Sequence, residues 1–322
     1  MRILITGGTG FIGRFLVRKL AKGRDAQIFC LVRRPAQARE KFKKYDNVEL
    51  IKGDILDSTS LESLPEVDLV YHLAGKVHSK EKKGNPYYEL NTEGTRFLAQ
   101  AVMQSSRTYP RFVFLSSIAA VVGRNCGVIN ENTPPDPVTR YGKSKLEAEN
   151  ILLDFKRRYG LPVIIVRAPL VYGPEDNFFS GAFLLFKMVK RRIKPVGGGK
   201  NLVSLCYVEN LIFVLEKIKN LKKIPGNIYF VADDDPYPLE RWIEIIARAQ
   251  GVSFPFIGIP EFLADIFSKI GPHGIRKIIN QMRSNWACDI TRVRKELGYS
   301  PPYTPEEGIK KTISWFKERG II

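Results

Sequence analysis

Long apolar runs, histidine and clustered cysteine are all scarce in this sequence of 322 residues. No apolar stretch reaches the roughly 18 to 20 residues that a membrane-spanning helix needs. The N-terminal stretch MRILITGGTGF becomes rich in glycine too early to provide the apolar core of a signal peptide. We therefore expect a cytoplasmic protein without a membrane span.

Metal sites and disulfide frameworks are disfavoured as well. The sequence has four cysteines without a C-x-x-C pair, and its three histidines show no spacing typical of metal ligands. These residues are Cys30, Cys126, Cys206, Cys288, His72, His78 and His273. We expect free thiols in a reducing compartment and no bound metal.

Acidic residues are few relative to basic ones, since 33 Asp and Glu face 51 Lys and Arg, for a formal net charge of +18. Such an excess suits anionic ligands, an acidic membrane surface or nucleic acid. It also suits a lysine-rich solvated surface. The basic residues come in short interrupted groups, such as KEKK at 80–83 and KRRIK at 190–194, without a zinc-finger, basic-zipper or RNA-recognition pattern. We favour the solvated surface and predict no nucleic-acid partner.

Apolar runs and helical periodicity alternate through the first half of the chain. The β-branched run RILIT at 2–6 predicts a buried strand, and FIGRFLVRKLAKG has apolar residues at the spacing of a helix packed on a sheet. The alternation continues through QIFCLV, VELI, DLVYHLA, RFVFLSS and PVIIVRA, with helical stretches between most of them. This order favours an α/β fold with a doubly wound parallel sheet of the Rossmann type.

The pattern changes near residue 175. Two helical stretches, FFSGAFLLFKMVKRR and LERWIEIIARAQG, alternate there with short strands such as NIYFVA, and the segment FPFIGIPEFLADIFSKIG is rich in Pro and Phe. We predict a dinucleotide-binding domain over 1–174. We expect a smaller, mainly substrate-binding lobe over 175–322, with chain crossings back to the first domain.

A glycine-rich stretch, TGGTGFIG, separates the first predicted strand from the first predicted helix. Gly7, Gly10 and Gly13 suit a tight turn, a close approach of the backbone to a pyrophosphate, and close packing of the helix on the strand. The start of the helix then offers N–H donors and a partial positive charge to the phosphates. This context predicts a dinucleotide site.

The end of the second strand predicts which dinucleotide binds. An NAD-specific fold is expected to carry Asp or Glu about 20 residues after the glycines, for the ribose 2′-hydroxyl. This chain has Arg33 and Arg34 in that region, and arginine forms charge-assisted hydrogen bonds to a 2′-phosphate. The alternative is two solvated arginines before Pro35. We predict NADP as the cofactor, with NAD as the other possibility.

Tyr141 and Lys145 stand four residues apart in TRYGKSKLEAE, at the start of a predicted helix. Residues at positions i and i+4 share a helix face, so both side chains can point into one cleft. In a chain with thirteen tyrosines and many lysines, chance alone supplies roughly one such pair. The pair therefore needs support from the rest of the sequence.

Taken together, the motifs resemble those of the extended short-chain dehydrogenase/reductases, also described as the NAD(P)-dependent epimerase/dehydratase family. The similar stretches are TGGTGFIG, GDILD at 53–57, HLAG at 72–75, NTEGT at 91–95, FLSS at 114–117, YGKSK and RAPLVYGP at 167–174. The later YVENL and KELGYSP are similar to markers of the C-terminal lobe. The resemblance covers nearly the whole chain and implies cofactor contacts from Gly7, Gly10, Phe11, Ile12, Gly13, Asp54, Ile55, Leu73, Ala74, Gly75, Asn91, Lys145, Ala168, Pro169 and Leu170.

The resemblance also implies a catalytic group. Tyr141 would be the acid/base, Ser117 would hydrogen-bond the reacting oxygen, and Lys145 would hold the nicotinamide ribose. A tyrosine pKa near 10 is too high for a base at neutral pH, so we expect Lys145 and the nicotinamide charge to lower it. Ser116 is the alternative to Ser117.

Three functions stay open at this point. The leading one is an NADP-dependent oxidoreductase that acts on a ketone or secondary alcohol. The first alternative is a nucleotide-sugar enzyme, a UDP-sugar 4-epimerase or reductase, and the second is a non-catalytic NADP-binding sensor or assembly factor. Dehydration is not expected, because Ile118 and Ala119 stand where sugar dehydratases of this family carry Asp-Glu.

Two further expectations concern the surroundings of the site. The apolar segment FPFIGIPEFLADIF either covers the substrate or belongs to the core, while His78 is expected to be a solvated loop residue. Relatives commonly pair through the helix of the catalytic motif and the helix near 92–105. The stripe Leu146, Ile151, Leu152 and Phe155 is compatible with such a homodimer, although a helix on a sheet also needs an apolar face.

Overall fold

The computed structural model describes residues 1–77, 85–123, 127–176, 181–192, 199–223, 225–253, 266 and 283–322. In these ranges the strands are β1 (Arg2–Thr6), β2 (Gln27–Val32), β3 (Val48–Lys52), β4 (Leu69–His72), β5 (Arg111–Ser117), β6 (Val163–Ala168), β7 (Leu170–Tyr172), β8 (Leu202–Val203), β9 (Leu205–Tyr207), β10 (Ile228–Phe230) and β11 (Tyr237–Pro238). The α-helices there are α1 (Phe11–Gly23), α2 (Pro35–Phe42), α3 (Gly94–Gln104), α4 (Arg140–Tyr159), α5 (Gly181–Lys190), α6 (Val208–Asn220), α7 (Leu239–Gln250), α8 (Thr291–Leu297) and α9 (Pro305–Glu318).

The main sheet has the strand order β10-β6-β5-β4-β1-β2-β3, and every neighbouring pair in it is parallel. The chain builds outward from β1 to β3 and then returns to the other side of β1 with β4. The carboxyl ends of β1 and β4 therefore border the crevice where doubly wound sheets bind ligands. The predicted α/β fold with a doubly wound parallel sheet is confirmed.

Alternate residues of β1 enter two different layers of the core. Ile3 and Ile5 pack with residues of α1 and α6, whereas Leu4 packs with residues of α3 and α4. All three side chains are fully buried. Because side chains alternate along a strand, a sheet covered on both faces needs an apolar residue at every position. The consecutive apolar residues Ile3, Leu4 and Ile5 meet this requirement.

The second half of the chain contributes to both parts of the molecule. Strand β10 lies at the edge of the main sheet next to β6, and α6 packs against α1. Strands β7 and β9 form a small parallel pair, and β8 pairs with β11 in the antiparallel sense. The predicted division near residue 175 stays a prediction, and α6 and β10 are the crossings back to the sheet.

Some predicted features lie outside the described residues. These are His78, His273, Cys126 and, apart from residue 266, the segment FPFIGIPEFLADIFSKIG. In the described part of the chain, none of the helices is long and apolar enough to cross a bilayer.

Candidate active site

The glycine loop joins β1 to α1 at the crevice, and two of its glycines are required by the protein itself. Gly7 has a φ of +72°, and a Cβ on it would lie 2.6 Å from the backbone nitrogen of Ala74. A Cβ on Gly13 would overlap the carbonyl oxygen of Gly7. The turn and the packing of α1 therefore exclude any side chain at these two positions.

Gly10 is different, because a Cβ there would make one tight contact instead of an overlap. Its φ of −74° is open to all residues, and within 4 Å a Cβ would meet a single non-neighbouring atom, the carbonyl oxygen of Gly7 at 3.1 Å. Gly10 is also the N-cap of α1 and has no side chain to cap the N–H groups of the first turn, which begins with the half-buried Phe11 and Ile12. A pyrophosphate against this backbone fits both features.

Cations surround the outer side of the glycine loop. Arg33 and Arg34 are exposed after β2, and Arg34 is the N-cap of α2. Lys41 of α2 donates a hydrogen bond from Nζ to the carbonyl oxygen of Thr9, at 3.3 Å. The structure thus places three positive side chains where β2 and α2 meet the loop.

Asp54 and Ile55 follow β3 on the same edge of the sheet. The carboxylate of Asp54 accepts a hydrogen bond from the backbone of Leu56, at 3.1 Å. Ile55 is buried, and a Cβ on Gly94 would lie 2.8 Å from its Cδ1 atom. Ile55 therefore packs beneath the start of α3, and Asp54 shapes the turn next to it.

The end of β4 is bonded to the glycine strand. The N–H of Leu73 donates to the carbonyl oxygen of Thr6 at 3.2 Å, and the N–H of Ala74 donates to the Thr6 hydroxyl at 3.3 Å. A Cβ on Gly75 would lie 3.9 Å from Nζ of Lys145. Leu73, Ala74 and Gly75 thus connect the glycine loop to the side chains of α4.

His72 is locked in one neutral tautomer between two threonines. The Thr95 hydroxyl donates to the carbonyl oxygen of Asn91 at 2.6 Å, so it must accept from Nε2–H of His72, 2.8 Å away. Nδ1 then accepts from the Thr6 hydroxyl, at 2.7 Å. Burial, helped by the Lys145 charge, lowers the pKa of His72 to about 3. His72 therefore acts as a fixed link between β1, β4 and α3.

Asn91 lies in a π-helical turn, Tyr88–Glu93, that precedes α3. Its side chain accepts from the N–H of Lys76 at 2.7 Å, donates to the Lys76 carbonyl at 3.1 Å and donates to the Ser144 hydroxyl at 2.9 Å. Ser144 in turn donates to the carbonyl oxygen of Tyr141, at 2.8 Å. Asn91 therefore fixes the loop after β4 against the first turn of α4.

The first turn of α4 is pressed closely onto the end of β5. Thr139 caps the helix by accepting from the N–H of Gly142, at 2.9 Å. A Cβ on Gly142 would overlap the carbonyl oxygen of Ala119, in the short helical turn after Ser117. This close approach, available only to glycine, brings Tyr141 beside Ser117.

Ser117, Tyr141 and Lys145 meet at the carboxyl edge of the sheet. Burial raises the pKa of the Tyr141 phenol to about 12, and the neighbouring Ser117 side chain opposes this by favouring the phenolate. Lys145 is 3% exposed. Burial lowers the pKa of Lys145 to about 7, against the opposing effect of the Glu149 carboxylate.

We expected Lys145 together with the nicotinamide charge to lower the pKa of Tyr141. In the protein alone, burial raises this pKa, and Ser117 is the group that lowers it. The Lys145 ammonium instead lies over the Phe114 ring, 3.9 Å from its centroid. Burial therefore dominates the phenol, because its strongest polar partner is the neutral Ser117.

The segment after β6 lies next to Ser117. Ala168 faces Ser117 across the β5–β6 ladder, Pro169 is buried and Leu170 is 36% exposed. A few residues later Glu175, at a φ of +63°, pairs with Arg14 at 3.2 Å and Arg18 at 2.5 Å, both on α1. The predicted nicotinamide segment is thus held to the helix that begins at the glycine loop.

The chain is similar to known proteins along most of its length. The sequence pattern of the NAD dependent epimerase/dehydratase family matches residues 3–232. The chain belongs to this family. UDP-glucose 4-epimerase of Vibrio cholerae is 30% identical over 328 residues, which cover 98% of this chain and 95% of that protein.

Two solved structures share the fold of this epimerase/dehydratase family member. UDP-glucose 4-epimerase of Thermotoga maritima with UDP-glucose has a TM-score of 0.80 at 22% identity, covering 99% of each chain. UDP-glucuronic acid 4-epimerase of Bacillus cereus with UDP-glucuronic acid and NAD has a TM-score of 0.78 at 22% identity, covering 99% of this chain and 100% of that one.

The two serines of the family's FLSS-like stretch have different partners here. Ser117 faces Tyr141, whereas the Ser116 hydroxyl hydrogen-bonds the buried carboxylate of Glu149. Glu149 also accepts two hydrogen bonds from Arg167 of β6, at 3.1 and 2.6 Å. The Ser116 hydroxyl is therefore engaged with Glu149 rather than with the phenol.

Three residues near the candidate site were not predicted from the sequence. They are Glu149, Arg167 and Tyr87. Arg167 stands inside an otherwise apolar strand, and Glu149 lies one turn beyond Lys145 on the buried side of α4. Charged residues at buried positions require partners, and this signal could have revealed the pair. No comparable signal indicates that the Tyr87 ring contacts the Tyr141 ring edge-on, at 6.4 Å between centroids.

Proposed function

We propose that the protein is an NAD(P)-dependent epimerase that inverts C4 in the sugar of a nucleoside diphosphate sugar, with UDP-sugars as its substrates. The observation that carries the chemistry is the placement of Ser117 beside the buried Tyr141 hydroxyl, with Lys145 one helical turn away, at the crevice next to the glycine loop. The choice of substrate rests on the similarity to a UDP-glucose 4-epimerase along nearly the whole chain. A nucleotide sugar is therefore favoured as the substrate over a simple ketone.

In this proposal Tyr141 removes the proton from the C4 hydroxyl and later returns it. Ser117 hydrogen-bonds the same oxygen and aligns it with the phenol. A nicotinamide held by the crevice residues would take the hydride from C4 and give it back, and its oxidised form would add a positive charge next to the phenol. C4 would be inverted when the resulting 4-keto sugar presents its opposite face to the returning hydride.

The residues that would hold the cofactor follow the crevice from the glycine loop to α4. The backbone at Gly7, Gly10 and Gly13 fits the pyrophosphate, because Gly10 begins α1 without a side chain that would cap the N–H groups of its first turn. The further residues proposed for the cofactor are Phe11, Ile12, Asp54, Ile55, Leu73, Ala74, Gly75, Asn91, Lys145, Ala168, Pro169 and Leu170. Lys145 would hold the nicotinamide ribose.

A second candidate is the NADP-dependent oxidoreductase acting on a ketone or secondary alcohol. It is favoured by Arg33 and Arg34, which are exposed after β2 in the region where an NAD-specific fold carries a carboxylate. Net reduction consumes a cofactor that is released after each turnover, and NADPH suits that role. A non-catalytic sensor is disfavoured, since such a protein has no need for the Ser117, Tyr141 and Lys145 group. The homodimer and the cytoplasmic location stay predictions.

The test supplies UDP-glucose, UDP-N-acetylglucosamine and UDP-glucuronic acid with NAD⁺ or NADP⁺, and follows C4 epimers by NMR and cofactor reduction by absorbance. We expect the epimer without net cofactor reduction. Tyr141→Phe should lower kcat by about 10²- to 10⁴-fold, whereas Tyr159→Phe, at the exposed end of the same helix, should leave it unchanged.

Two results would change the assignment. Oxidation or reduction of simple alcohols and ketones with NADP(H), without epimerisation of any UDP-sugar, would replace the epimerase with the second candidate. Full turnover by the Tyr141→Phe variant would remove Tyr141 as the acid/base.

A further inference from the structure

The ammonium of Lys145 lies over an aromatic ring. Its Nζ atom is 3.9 Å from the centroid of the Phe114 ring, inside the roughly 6 Å limit for cation–π attraction. Lys145 is 3% exposed and Phe114 is fully buried. Water therefore screens this attraction little, and desolvated pairs are the stronger ones.

The ring itself is held in place by His72. The imidazole of His72 stacks on Phe114, with 5.5 Å between centroids and an interplanar angle of 25°. Thr6 and Thr95 fix His72 as a neutral tautomer, so it adds no competing positive charge beside the ring. The arrangement presents Phe114 as a rigid surface to the ammonium.

The other charged and titratable groups near Lys145 do not replace this contact. Glu149 of the same helix favours the ammonium, but Arg167 of β6 already pairs with that carboxylate at 2.6 Å. Tyr141 is protonated because burial raises its pKa to about 12, and His72 is neutral. The ring face of Phe114 therefore provides a negative electrostatic surface at Nζ, without an ion pair that competes for it.

We propose that Phe114 is a positioning residue that seats the Lys145 ammonium through a cation–π contact, at the place from which Lys145 reaches the cofactor ribose and the reacting oxygen. The structural part of this inference concerns the protein alone. Its relevance to turnover rests on the proposed function.

The contact can be weakened without changing the shape of the core. Phenylalanine analogues with one, two or three ring fluorines at position 114 withdraw electron density from the ring face and keep nearly the same volume. The NMR signal of Lys145, in protein labelled with [6-13C]lysine and assigned by its loss in Lys145→Arg, reports the pKa of the ammonium. We expect this pKa to fall stepwise with each fluorine, by about 0.5 to 1 unit in total.

Phe112 provides the matched control. It lies two residues earlier on β5, is fully buried and meets His72 edge-on at 5.9 Å between centroids. The same fluorine series at position 112 should leave the Lys145 signal unchanged. If fluorination changed the pKa of Lys145 equally at positions 112 and 114, or did not change it at 114, the proposed cation–π contact would be wrong.

A second readout links the seat to the proposed function. The dissociation constant of NAD(P)H, from cofactor fluorescence, should rise with fluorination at 114 and not at 112. If the protein binds no NAD(P)H, the proposed function is wrong. The NMR series still decides whether the cation–π contact between Lys145 and Phe114 exists. A pKa that follows the fluorine count with an unchanged dissociation constant would overturn the positioning role alone.

Discussion

At Gly10 and Gly13 one short loop meets two different requirements. A methyl group on Gly13 would overlap the Gly7 carbonyl oxygen, so the fold itself demands glycine there. At Gly10 the backbone conformation is open to alanine, and the methyl group would make one tight contact, 3.1 Å from the Gly7 carbonyl oxygen. Stability and cofactor binding should therefore separate at these two residues.

The alanine variants test this separation. Gly13→Ala should lower the free energy of unfolding by about 1 to 3 kcal/mol, because the backbone must shift to make room. Gly10→Ala should cost less than about 1 kcal/mol but weaken NAD(P)H binding by about tenfold or more, since the methyl group stands against the pyrophosphate. Urea unfolding and cofactor fluorescence measure the two effects. Unchanged binding by Gly10→Ala would show that no pyrophosphate lies against this residue.

The sequence was informative for those residues whose requirements are local. The glycine spacing and the four-residue step from Tyr141 to Lys145 follow from one turn and one helix, and can be recognised without tertiary structure. The pKa of Tyr141 was expected to fall under the combined effect of Lys145 and the nicotinamide charge. In the protein alone burial raises it, and the depth of burial depends on how α4 packs on β5. His72 was recognised only as part of a motif, because its threonine partners stand 66 residues before it and 23 after it.

At the scale of elements, one buried ion pair holds α4 to the sheet. Glu149 of α4 accepts hydrogen bonds from Arg167 of β6 and Ser116 of β5, and the two charged side chains are 1% and 4% exposed. Removing one charge leaves the other buried and uncompensated, which costs more than the pair contributes. The pair therefore fixes where α4 lies along the sheet, and with it Tyr141 and Lys145.

A double-mutant cycle tests this role. Glu149→Leu or Arg167→Met alone should lower the free energy of unfolding by about 3 to 5 kcal/mol, whereas the double variant should cost clearly less than the sum. Asp154→Asn is the control, because it breaks the exposed pairs with Arg157 and Arg158 on the same helix and should leave the urea midpoint close to that of the parent protein. Additive single costs, measured by urea unfolding, would show that Glu149 and Arg167 act independently.

Periodicity in the sequence located the strands and helices of the main sheet, because each is long enough to show its period. The helix expected near 92–105 is α3 (Gly94–Gln104), but the π-helical turn at Tyr88–Glu93 that precedes it was not predicted. That turn follows from the contacts of Asn91 with Lys76 and Ser144, which lie on other elements. Hydrophobic spacing carries no information about such contacts.

At the scale of the whole molecule, Asp233 connects segments that are distant in the chain. Its carboxylate accepts hydrogen bonds from the Tyr172 hydroxyl after β6, the Tyr207 N–H and the Asn210 side chain at the start of α6. Asn210 continues the link to Tyr303, just before α9. Asp233 is 1% exposed, and burial raises its pKa to about 7 despite these three donors.

This pKa gives global stability a pH dependence of known sign. An unfolded aspartate has a pKa near 3.9, so between about pH 4 and pH 7 the folded state binds more protons than the unfolded state. The contribution of Asp233 to the free energy of unfolding therefore falls as the pH rises through this window and is most favourable below it.

The variant Asp233→Asn tests this pH dependence. Its amide oxygen still accepts from the Tyr207 N–H and the Asn210 side chain. Its amide nitrogen can donate to the Tyr172 hydroxyl, which can itself turn to the Pro305 carbonyl 3.5 Å away. We expect Asp233→Asn to raise Tm relative to the parent protein by about 2 to 4 °C at pH 8, and by less at pH 5. Asp235→Asn, which removes an exposed carboxylate two residues later, controls for the loss of one negative charge. A Tm difference for Asp233→Asn that stays constant from pH 5 to pH 8 would show that Asp233 does not titrate with folding in this window.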